Sequence, residues 1–168
     1  PTCMGLGTLM RIDPDSVVAD PEKTLRQGAI QASGWGKMTE GTMALMYFEA
    51  LAKKYDFSLD IPYKNLSKKA KDIILYGTGK EKITYTYERA SGKGEFTAAF
   101  GGIINNLERK YRETNSDAMK AEYEEYMGQV SCPDCAGQRL KREALAVTVG
   151  GKSIAEVGNM SIEAAREF

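Results

Sequence analysis

A short pattern, proline–any residue–cysteine–any residue–glycine, occurs twice in the 168-residue chain, and the distance between its copies limits what the chain can fold into. The first copy is residues 1–5 and the second is residues 133–137. In the second copy another cysteine precedes the proline, so Cys132 and Cys135 form a C-x-x-C knuckle. Such a knuckle aims two thiolates at one ion, and its glycine permits the tight turn. It is typical of one half of a structural zinc site.

The knuckle alone leaves three interpretations open: half of a zinc site, two ordinary buried thiols, or a redox pair. The repeat near the N-terminus favours zinc, because two knuckles together supply the four cysteines of a structural site. On this interpretation the polypeptide begins one residue after a fourth cysteine, and Cys3, Cys132 and Cys135 are the metal ligands present. The 128 residues from 4 to 131 then form an insertion between the two halves. With one ligand missing, we expect zinc binding in this chain to be weak or absent.

Alternation, capping residues and turn signals predict an α+β fold. We expect a small antiparallel sheet, the hairpin 82–100, packed with several short helices and succeeded by a zinc-knuckle and β-hairpin segment. No βαβ alternation is present. The predicted domains are a remnant of the first half of the zinc module (1–7), an insertion (8–130), and the second knuckle with the C-terminal segment (131–168).

Individual elements are predicted from the same signals. An N-cap followed by proline predicts a short helix at 21–27. The predicted strands are 8–12, 83–87, 96–100 and 144–149, the last turned back into 152–154 by two glycines. The other predicted helices are 41–55, one between Ser67 and Gly77, 103–111, 116–127, and one that Ser161 caps.

Charge is balanced overall, with 23 basic and 23 acidic residues, but residues 61–115 carry 11 lysines and arginines against 6 acids. The middle of the chain could therefore present a basic face to a polyanion.

The chain has no histidine, which removes the usual general base at neutral pH. With 42% hydrophobic residues it is not a disordered chain, and no apolar run approaches the roughly 20 residues of a membrane helix. A cytoplasmic, non-enzymatic binding module is expected.

Three basic groups are candidates for contacting phosphates, because arginine binds them bidentately and lysine adds a point charge. One lies within four positions around Tyr111, one at a predicted helix start, where its charge opposes the helix dipole, and one at the hairpin tip. Each group has a plainer alternative, namely a solvated surface, with Glu108 and Glu113 as salt-bridge partners in the first case. The candidate DNA-contacting residues are Arg109, Lys110, Arg112, Lys68, Lys69, Arg89 and Lys93.

Aromatic residues offer a further possibility and a stronger alternative. Tyr85, Tyr87, Phe96 and Phe100 could stack on bases, but strand spacing favours one face of them packing in the core. Trp35, in a glycine-rich loop, is either a mobile contact or a lid over the core, and the sequence does not choose between the two.

Several longer stretches carry a resemblance. They are 13–15, 25–30, 74–79, 106–114 (Asn-Leu-Glu-Arg-Lys-Tyr-Arg-Glu-Thr), and 132–141 with 145–152. Together they resemble the UvrA family of bacterial nucleotide-excision-repair proteins, and the likeness runs along nearly the whole chain. It implies a tandem ABC-type ATPase that forms a homodimer, surveys double-stranded DNA for damage and loads the partner UvrB, with zinc and ATP as its cofactors.

The resemblance covers only the insertion and the start of the signature region of that family. The phosphate-loop pattern G-x-x-x-x-G-K-[ST] does not occur in this sequence, so we expect ATP to be bound elsewhere in the parent protein. We expect the UvrB-binding surface to lie outside this chain as well. Two alternatives remain: a structural or protein-docking insert, and a cysteine-rich chaperone module of the DnaJ type, whose repeats are normally close together in sequence.

Overall fold

The computed structural model describes residues 2–36, 38–89 and 92–168, without the side chains of Glu88 and Arg89. Its elements confirm the predicted mixture of short helices and small antiparallel sheets. In chain order they are β1 (Thr8–Ile12), α1 (Pro14–Val17), α2 (Met43–Tyr55), a 3₁₀ turn (Tyr63–Asn65), α3 (Lys68–Tyr76), β2 (Lys82–Arg89), β3 (Gly92–Ala99), α4 (Ile103–Glu113), α5 (Asp117–Glu124), β4 (Met127–Ser131), α6 (Arg142–Leu145), β5 (Thr148–Val149), β6 (Lys152–Ser153), α7 (Ile154–Gly158) and α8 (Ile162–Glu167).

The chain divides into two compact units, one of which is discontinuous in sequence. The first combines the N-terminal residues through Arg11 with Gly128–Phe168, and the second is Ile12–Met127. In the first unit, β1 pairs with β4, and β5 pairs with β6 through a turn at Gly150 and Gly151. Both turn glycines have positive φ, which suits the mirror-image turns that close two-residue hairpins. The predicted boundaries at 7/8 and 130/131 stay a prediction.

The core of the Ile12–Met127 unit lies between α2, α3, α4 and the β2–β3 hairpin. The hairpin pairs in register from Lys82 opposite Ala99 to Arg89 opposite Gly92. Apolar residues at helical spacing put one face of each helix inside. Among the side chains that are fully buried are Phe48, Leu51, Ile74, Tyr85, Ile103 and Leu107.

Trp35 belongs to this core. It is 7% exposed, and its ring centroid lies 5.8 Å from that of Phe48 and 5.7 Å from that of Phe100. Of the two interpretations that the sequence left open, the lid over the core is therefore correct.

The C-terminal end of α3 meets the N-terminal end of α4 at two glycines. Gly77 caps α3 with φ +94°, and Gly102 caps α4 with φ +83°. A Cβ on Gly102 would lie 2.6 Å from the backbone nitrogen of Gly77, so the two backbones approach too closely for any side chain. Asn105 strengthens the junction by donating its side-chain N–H to the carbonyl of Tyr76 at 3.1 Å.

The first and last residues of the Ile12–Met127 unit are neighbours. The backbone N–H of Asp13 donates to the carbonyl of Tyr126 at 2.8 Å. Asp13 also accepts from the N–H of Asp15 through its side chain, which begins α1 immediately after the unit starts.

The predicted helix at 21–27 is wrong. The segment folds as successive turns, because its carbonyl groups are used by a distant part of the chain. The carbonyls of Lys23 and Pro21 accept from the N–H groups of Tyr63 and Lys64 at 2.9 and 3.0 Å. Those acceptors are then unavailable to residues one helical turn further on.

Two other boundaries also differ from the prediction. The helix predicted at 116–127 ends at Glu124, because Met127 begins β4, the strand that pairs with β1. The strand predicted at 144–149 is reduced to Thr148–Val149, since Leu145 and Ala146 donate helically to the carbonyls of Lys141 and Arg142. Alanine and leucine favour that outcome through their helix propensity. Within the described ranges, no helix has both the length and the apolar character needed to cross a membrane.

Candidate functional site

Three cysteines converge in the discontinuous unit. The sulfur atoms of Cys3, Cys132 and Cys135 all lie within 4.8 Å of one another, and those of Cys3 and Cys135 are 3.7 Å apart. Cys3 and Cys132 are buried, whereas Cys135 is half-buried. With Zn–S bonds of about 2.3 Å, sulfurs on a tetrahedral zinc ion lie about 3.8 Å apart. The soft thiolate donors and their spacing therefore fit zinc.

The two knuckles that hold these thiols have the same backbone conformation. Met4 and Gly5 have φ values of +48° and +83°, and Ala136 and Gly137 have the same two values. The carbonyl of each preceding cysteine accepts from the N–H three residues later: Leu6 donates to Cys3 at 2.9 Å, and Gln138 donates to Cys135 at 2.8 Å. The sequence repeat is therefore also a structural repeat.

The protein environment changes the acidity of two of the thiols in opposite directions. The N–H of Gly7, which donates to the Cys3 sulfur at 3.4 Å, is the main reason that the pKa of Cys3 falls to about 7. The N–H of Cys135 acts in the same sense on Cys132, but burial and the neighbouring thiols prevail and raise the pKa of Cys132. A bound cation would favour the ionised form of all three.

The two arginines of α4 already have partners within the protein. Arg109 forms an ion pair with Glu113, and Arg112 lies 3.8 Å from Glu108. Both pairs are at i,i+4 spacing, and they match the alternative in which Glu108 and Glu113 are the salt-bridge partners of this group. The Arg109–Glu113 pair is exposed on both sides and contributes only about 0–1 kcal/mol, so Arg109 exchanges it readily for another anion. In the Arg112–Glu108 pair only the arginine is exposed.

Lys110 points in another direction. It is half-buried, and a Cβ on Gly34 would lie 3.2 Å from its Nζ. The three basic residues of α4 therefore do not form one uniform patch. Only the two arginines are well exposed, at 51% and 66% of their side chains.

The lysines at the start of α3 form fewer ion pairs than the arginines of α4. The Ser67 hydroxyl caps this helix by accepting from the N–H of Ala70 at 3.2 Å. Among the described residues, no carboxylate lies within 4 Å of the ammonium groups of Lys68, Lys69 or Lys71. By contrast, Lys64 is paired with Glu22 at 2.6 Å.

Two of the α3 lysines lie over aromatic rings. The Nζ of Lys69 is 5.6 Å from the ring centroid of Tyr55, and that of Lys71 is 5.5 Å from the ring of Tyr63. Lys71 also donates to the carbonyl of Lys64 at 2.7 Å. These contacts hold the ammonium groups in place without neutralising them.

Recesses of about 660 and 540 Å³ flank α3, one on each side. Lys68, Asp72 and Tyr76 line both of them, because i, i+4 and i+8 positions fall along one line of a helix. Tyr63 and Lys71 belong to the larger recess, whereas Tyr55 and Lys69 belong to the smaller one.

The three tyrosines that line these recesses on the exposed face of α3 were not among the residues predicted from sequence. The regular spacing along α3 could have indicated Tyr76, but Tyr55 and Tyr63 come from other elements.

An acidic group of the smaller recess is held internally. Glu81 accepts from the Tyr55 hydroxyl at 2.7 Å and pairs with Lys54 at 3.2 Å. The Tyr55 hydrogen bond, and after it Lys54, lowers the pKa of Glu81. In turn, burial and Glu81 raise the pKa of Tyr55 to about 12. Glu81 is therefore ionised but largely compensated at neutral pH.

The predicted hairpin-tip residues are only partly described. The side chain of Arg89 lies outside the described residues. Lys93 lines a third groove of about 940 Å³, together with Met43, Met46 and Phe96.

Of the four aromatic residues considered for stacking, Tyr85 and Phe100 are buried, and Tyr87 and Phe96 are half-buried. The ring contacts among them and with Tyr47 place them mainly in the core. The plainer interpretation of these residues is thus the correct one.

Comparison with known proteins gives a consistent family. The model of the UvrA DNA-binding domain matches residues 13–125. The UvrABC system protein A of Clostridium perfringens is 48% identical over 166 residues, which are 99% of this chain and 18% of that protein. The UvrABC system protein A of Mesorhizobium japonicum is 46% identical over 168 residues, or 100% of this chain and 17% of that protein. The chain thus spans less than a fifth of the length of these relatives.

A solved structure shares the fold. The crystal structure of UvrA2 from Deinococcus radiodurans superposes with a TM-score of 0.70 at 23% sequence identity. The match covers 99% of this chain and 21% of the UvrA2 chain. The arrangement of helices and small sheets is therefore that of a corresponding part of UvrA2.

Proposed function

Because this chain belongs to the UvrA family and matches its DNA-binding domain over residues 13–125, we propose that it is a non-catalytic DNA-binding insertion of a damage-recognition ATPase in nucleotide excision repair. The proposed DNA-binding domain is residues 8–130, between a first knuckle remnant at 1–7 and a second knuckle region at 131–168. The family match supports this role most directly, because it covers nearly the same residues as the Ile12–Met127 unit that carries α3 and α4.

The proposed contacts are mainly to phosphates of duplex DNA. A sensor that accepts many lesions benefits from reading backbone position and deformability more than base edges. The exposed arginines of α4 suit that task, and so do the lysines of α3, which have no ion-pair partner among the described residues. The proposed contact residues are Lys68, Lys69, Arg89, Lys93, Arg109, Lys110 and Arg112.

Salt dependence tests this proposal. We expect the 168-residue chain to bind a fluorescein-labelled 20-base-pair duplex with an affinity that falls steeply as NaCl rises. Replacing Arg109, Lys110 and Arg112 together with alanine should weaken binding and reduce the slope of log K against log salt by about 2.7, or about 0.9 for each lost phosphate contact. Fluorescence anisotropy over a NaCl series measures both quantities.

A matched variant removes the same charge elsewhere: Lys23→Ala, Lys53→Ala and Lys152→Ala together. We expect it to keep nearly the parental slope. Equal effects in the two triple variants would mean that only net charge matters and that the α4 residues are not the contact. Binding of no DNA at low salt would instead favour a structural or protein-docking insert.

We also propose that Cys3, Cys132 and Cys135 hold zinc, which when bound would cross-link the two knuckles. Structural sites take four ligands, and this chain contains three cysteines, so its affinity should be lower than that of a four-cysteine site. After loading with excess zinc and gel filtration, we expect about one ion per chain or less, and clearly less in Cys132→Ser. Elemental analysis measures the zinc content, and Ser131→Ala is the neighbouring control. Equal zinc content in Cys132→Ser and the parental chain would contradict the assignment.

The remaining features of the whole protein are proposed from the family. They are ATP binding and hydrolysis outside this chain, formation of a homodimer, association with UvrB through another region, action on damaged duplex DNA, and a cytoplasmic location.

A further inference from the structure

Tyr76 stands apart from the other aromatic residues of the Ile12–Met127 unit. All of its tryptophan, tyrosine and phenylalanine side chains are described, and Tyr76 alone is exposed, at 50%. Its backbone is fixed, because its carbonyl accepts from Asn105 and its carbonyl carbon lies against Gly102. An aromatic ring displayed from a rigid backbone is well suited to stacking, since little conformational freedom is lost when it binds.

The surroundings of Tyr76 supply positive charge on both sides. Lys68 shares its line along α3, and each flanking recess contains one lysine held over a tyrosine ring, Lys71 over Tyr63 and Lys69 over Tyr55. An exposed ring between groups that bind phosphate is the arrangement expected for a nucleotide chain. In such a chain bases and phosphates alternate.

Charge alone would give this face only modest affinity. Glu81 is compensated by Lys54 and Tyr55, but Asp15 and Asp72 also line the recesses and have no ion-pair partner among the described residues. The three α3 lysines, which have no ion-pair partner among the described residues, exceed these two acids by one. Stacking therefore has to provide a substantial share of the binding energy, which favours a ligand with an accessible base over a bare anion or an intact duplex. In a duplex both faces of each base are already covered by its neighbours.

We propose that the exposed face of α3 binds an unpaired segment of a DNA strand. Tyr76 stacks on one base, and Lys68, Lys69 and Lys71 contact the phosphates around it. This inference rests on the proposed DNA-binding function and specifies the form of DNA that one part of the domain binds.

The test compares two DNA forms with the 168-residue chain: a labelled 12-nucleotide thymidine strand and a labelled 12-base-pair duplex. Tyr76→Ala should weaken single-strand binding by roughly 5- to 100-fold, the range expected for loss of one stacked base, and should change duplex binding by less than about twofold. Tyr76→Phe should bind the single strand within about twofold of the parental chain, because it keeps the ring. Far-UV circular dichroism verifies that each variant is folded.

Two variants that change the charge of this site are expected to change single-strand binding in opposite directions. Lys68→Gln, Lys69→Gln and Lys71→Gln together should reduce the single-strand salt slope by about 2, or about 0.7 for each phosphate contact. Asp72→Asn removes a negative charge beside the proposed phosphate path and should strengthen single-strand binding by about 1.5- to 5-fold.

The outcomes separate this inference from the proposed function. If the chain binds duplex but not the thymidine strand, or if Tyr76→Ala leaves single-strand affinity unchanged, the inference is wrong and the DNA-binding function stands. If neither DNA form binds at low salt, both are wrong. Equal losses for single strand and duplex in Tyr76→Ala would also overturn the assignment to unpaired DNA.

Discussion

Alanine in place of Gly102 is expected to lower the free energy of unfolding by about 3–5 kcal/mol, the sum of backbone strain and overpacking. Gly102 has φ +83° and ψ 156°, a region that is almost restricted to glycine. An added Cβ would also meet the backbone carbon of Tyr76, and would lie 2.6 Å from both the nitrogen of Gly77 and the carbonyl oxygen of Leu75. These are main-chain atoms, so no side-chain rotation relieves the clash.

Urea unfolding monitored by the fluorescence of Trp35 measures this loss, and a decrease in Tm of about 6–20 °C should accompany it. Gly101→Ala is the control at the adjacent position, because its Cβ would have nothing within 4 Å and its φ is not positive. Similar stability losses in the two variants would show that the α3–α4 junction is not the close approach described above. Since this junction fixes the backbone of Tyr76, Gly102→Ala should also disturb the α3 face.

Truncation of Phe48 to alanine should have an effect of similar size, about 3–5 kcal/mol. Phe48 is fully buried on α2 and contacts Trp35, with 5.8 Å between the ring centroids. Removing its ring leaves a cavity that the surrounding aromatic residues can fill only partly, so both the transfer free energy and packing contacts are lost. The emission of Trp35 should shift to longer wavelength if water reaches the cavity.

Met43→Ala is the matched control on the same helix. Its side chain is 54% exposed, and a surface truncation of this kind usually changes stability by no more than about 0.5 kcal/mol. Chemical denaturation of both variants gives the comparison. A loss for Met43→Ala as large as that for Phe48→Ala would contradict the assignment of the inner face of α2.

The elements that sequence predicted well are those whose signals are local. Ser67 and Ser116 cap helices where expected, and alternation of β-forming residues located the β2–β3 hairpin. The predicted helix at 21–27 failed because its fate depends on residues 63 and 64, some forty positions away. An N-cap signal is local. It does not show whether the carbonyl groups that a helix would need accept hydrogen bonds from distant N–H groups instead. The strand predicted at 144–149 was too long, because the N–H groups of Leu145 and Ala146 donate to the carbonyls of Lys141 and Arg142 in a helical turn.

The candidate site residues also divide into those that local sequence signals predicted and those that they did not. The repeated knuckle pattern was enough to predict that Cys3 lies near Cys132 and Cys135, because each copy of the pattern determines its own turn. The sequence also offered Glu108 and Glu113 as salt-bridge partners in the plainer interpretation of this basic group, and the structure pairs Arg109 with Glu113 and Arg112 with Glu108. The α3 face was harder to predict, because Tyr55 and Tyr63 approach it from α2 and the 3₁₀ turn. Whether a tyrosine is buried or exposed depends on tertiary packing, which cannot be inferred from the residues next to it in sequence.

The hydrogen bond between Asp13 and Tyr126 has a consequence for how such a protein can change over time. When the two ends of a domain lie side by side, that domain can be removed, exchanged or enlarged without leaving a gap in the rest of the polypeptide. Related polypeptides can therefore change the sequence of residues 13–126, and with it the DNA binding proposed for them, while the residues that carry the cysteines stay as they are. Recombinants that carry the segment from a distant homologue between the same two joints should accordingly still fold.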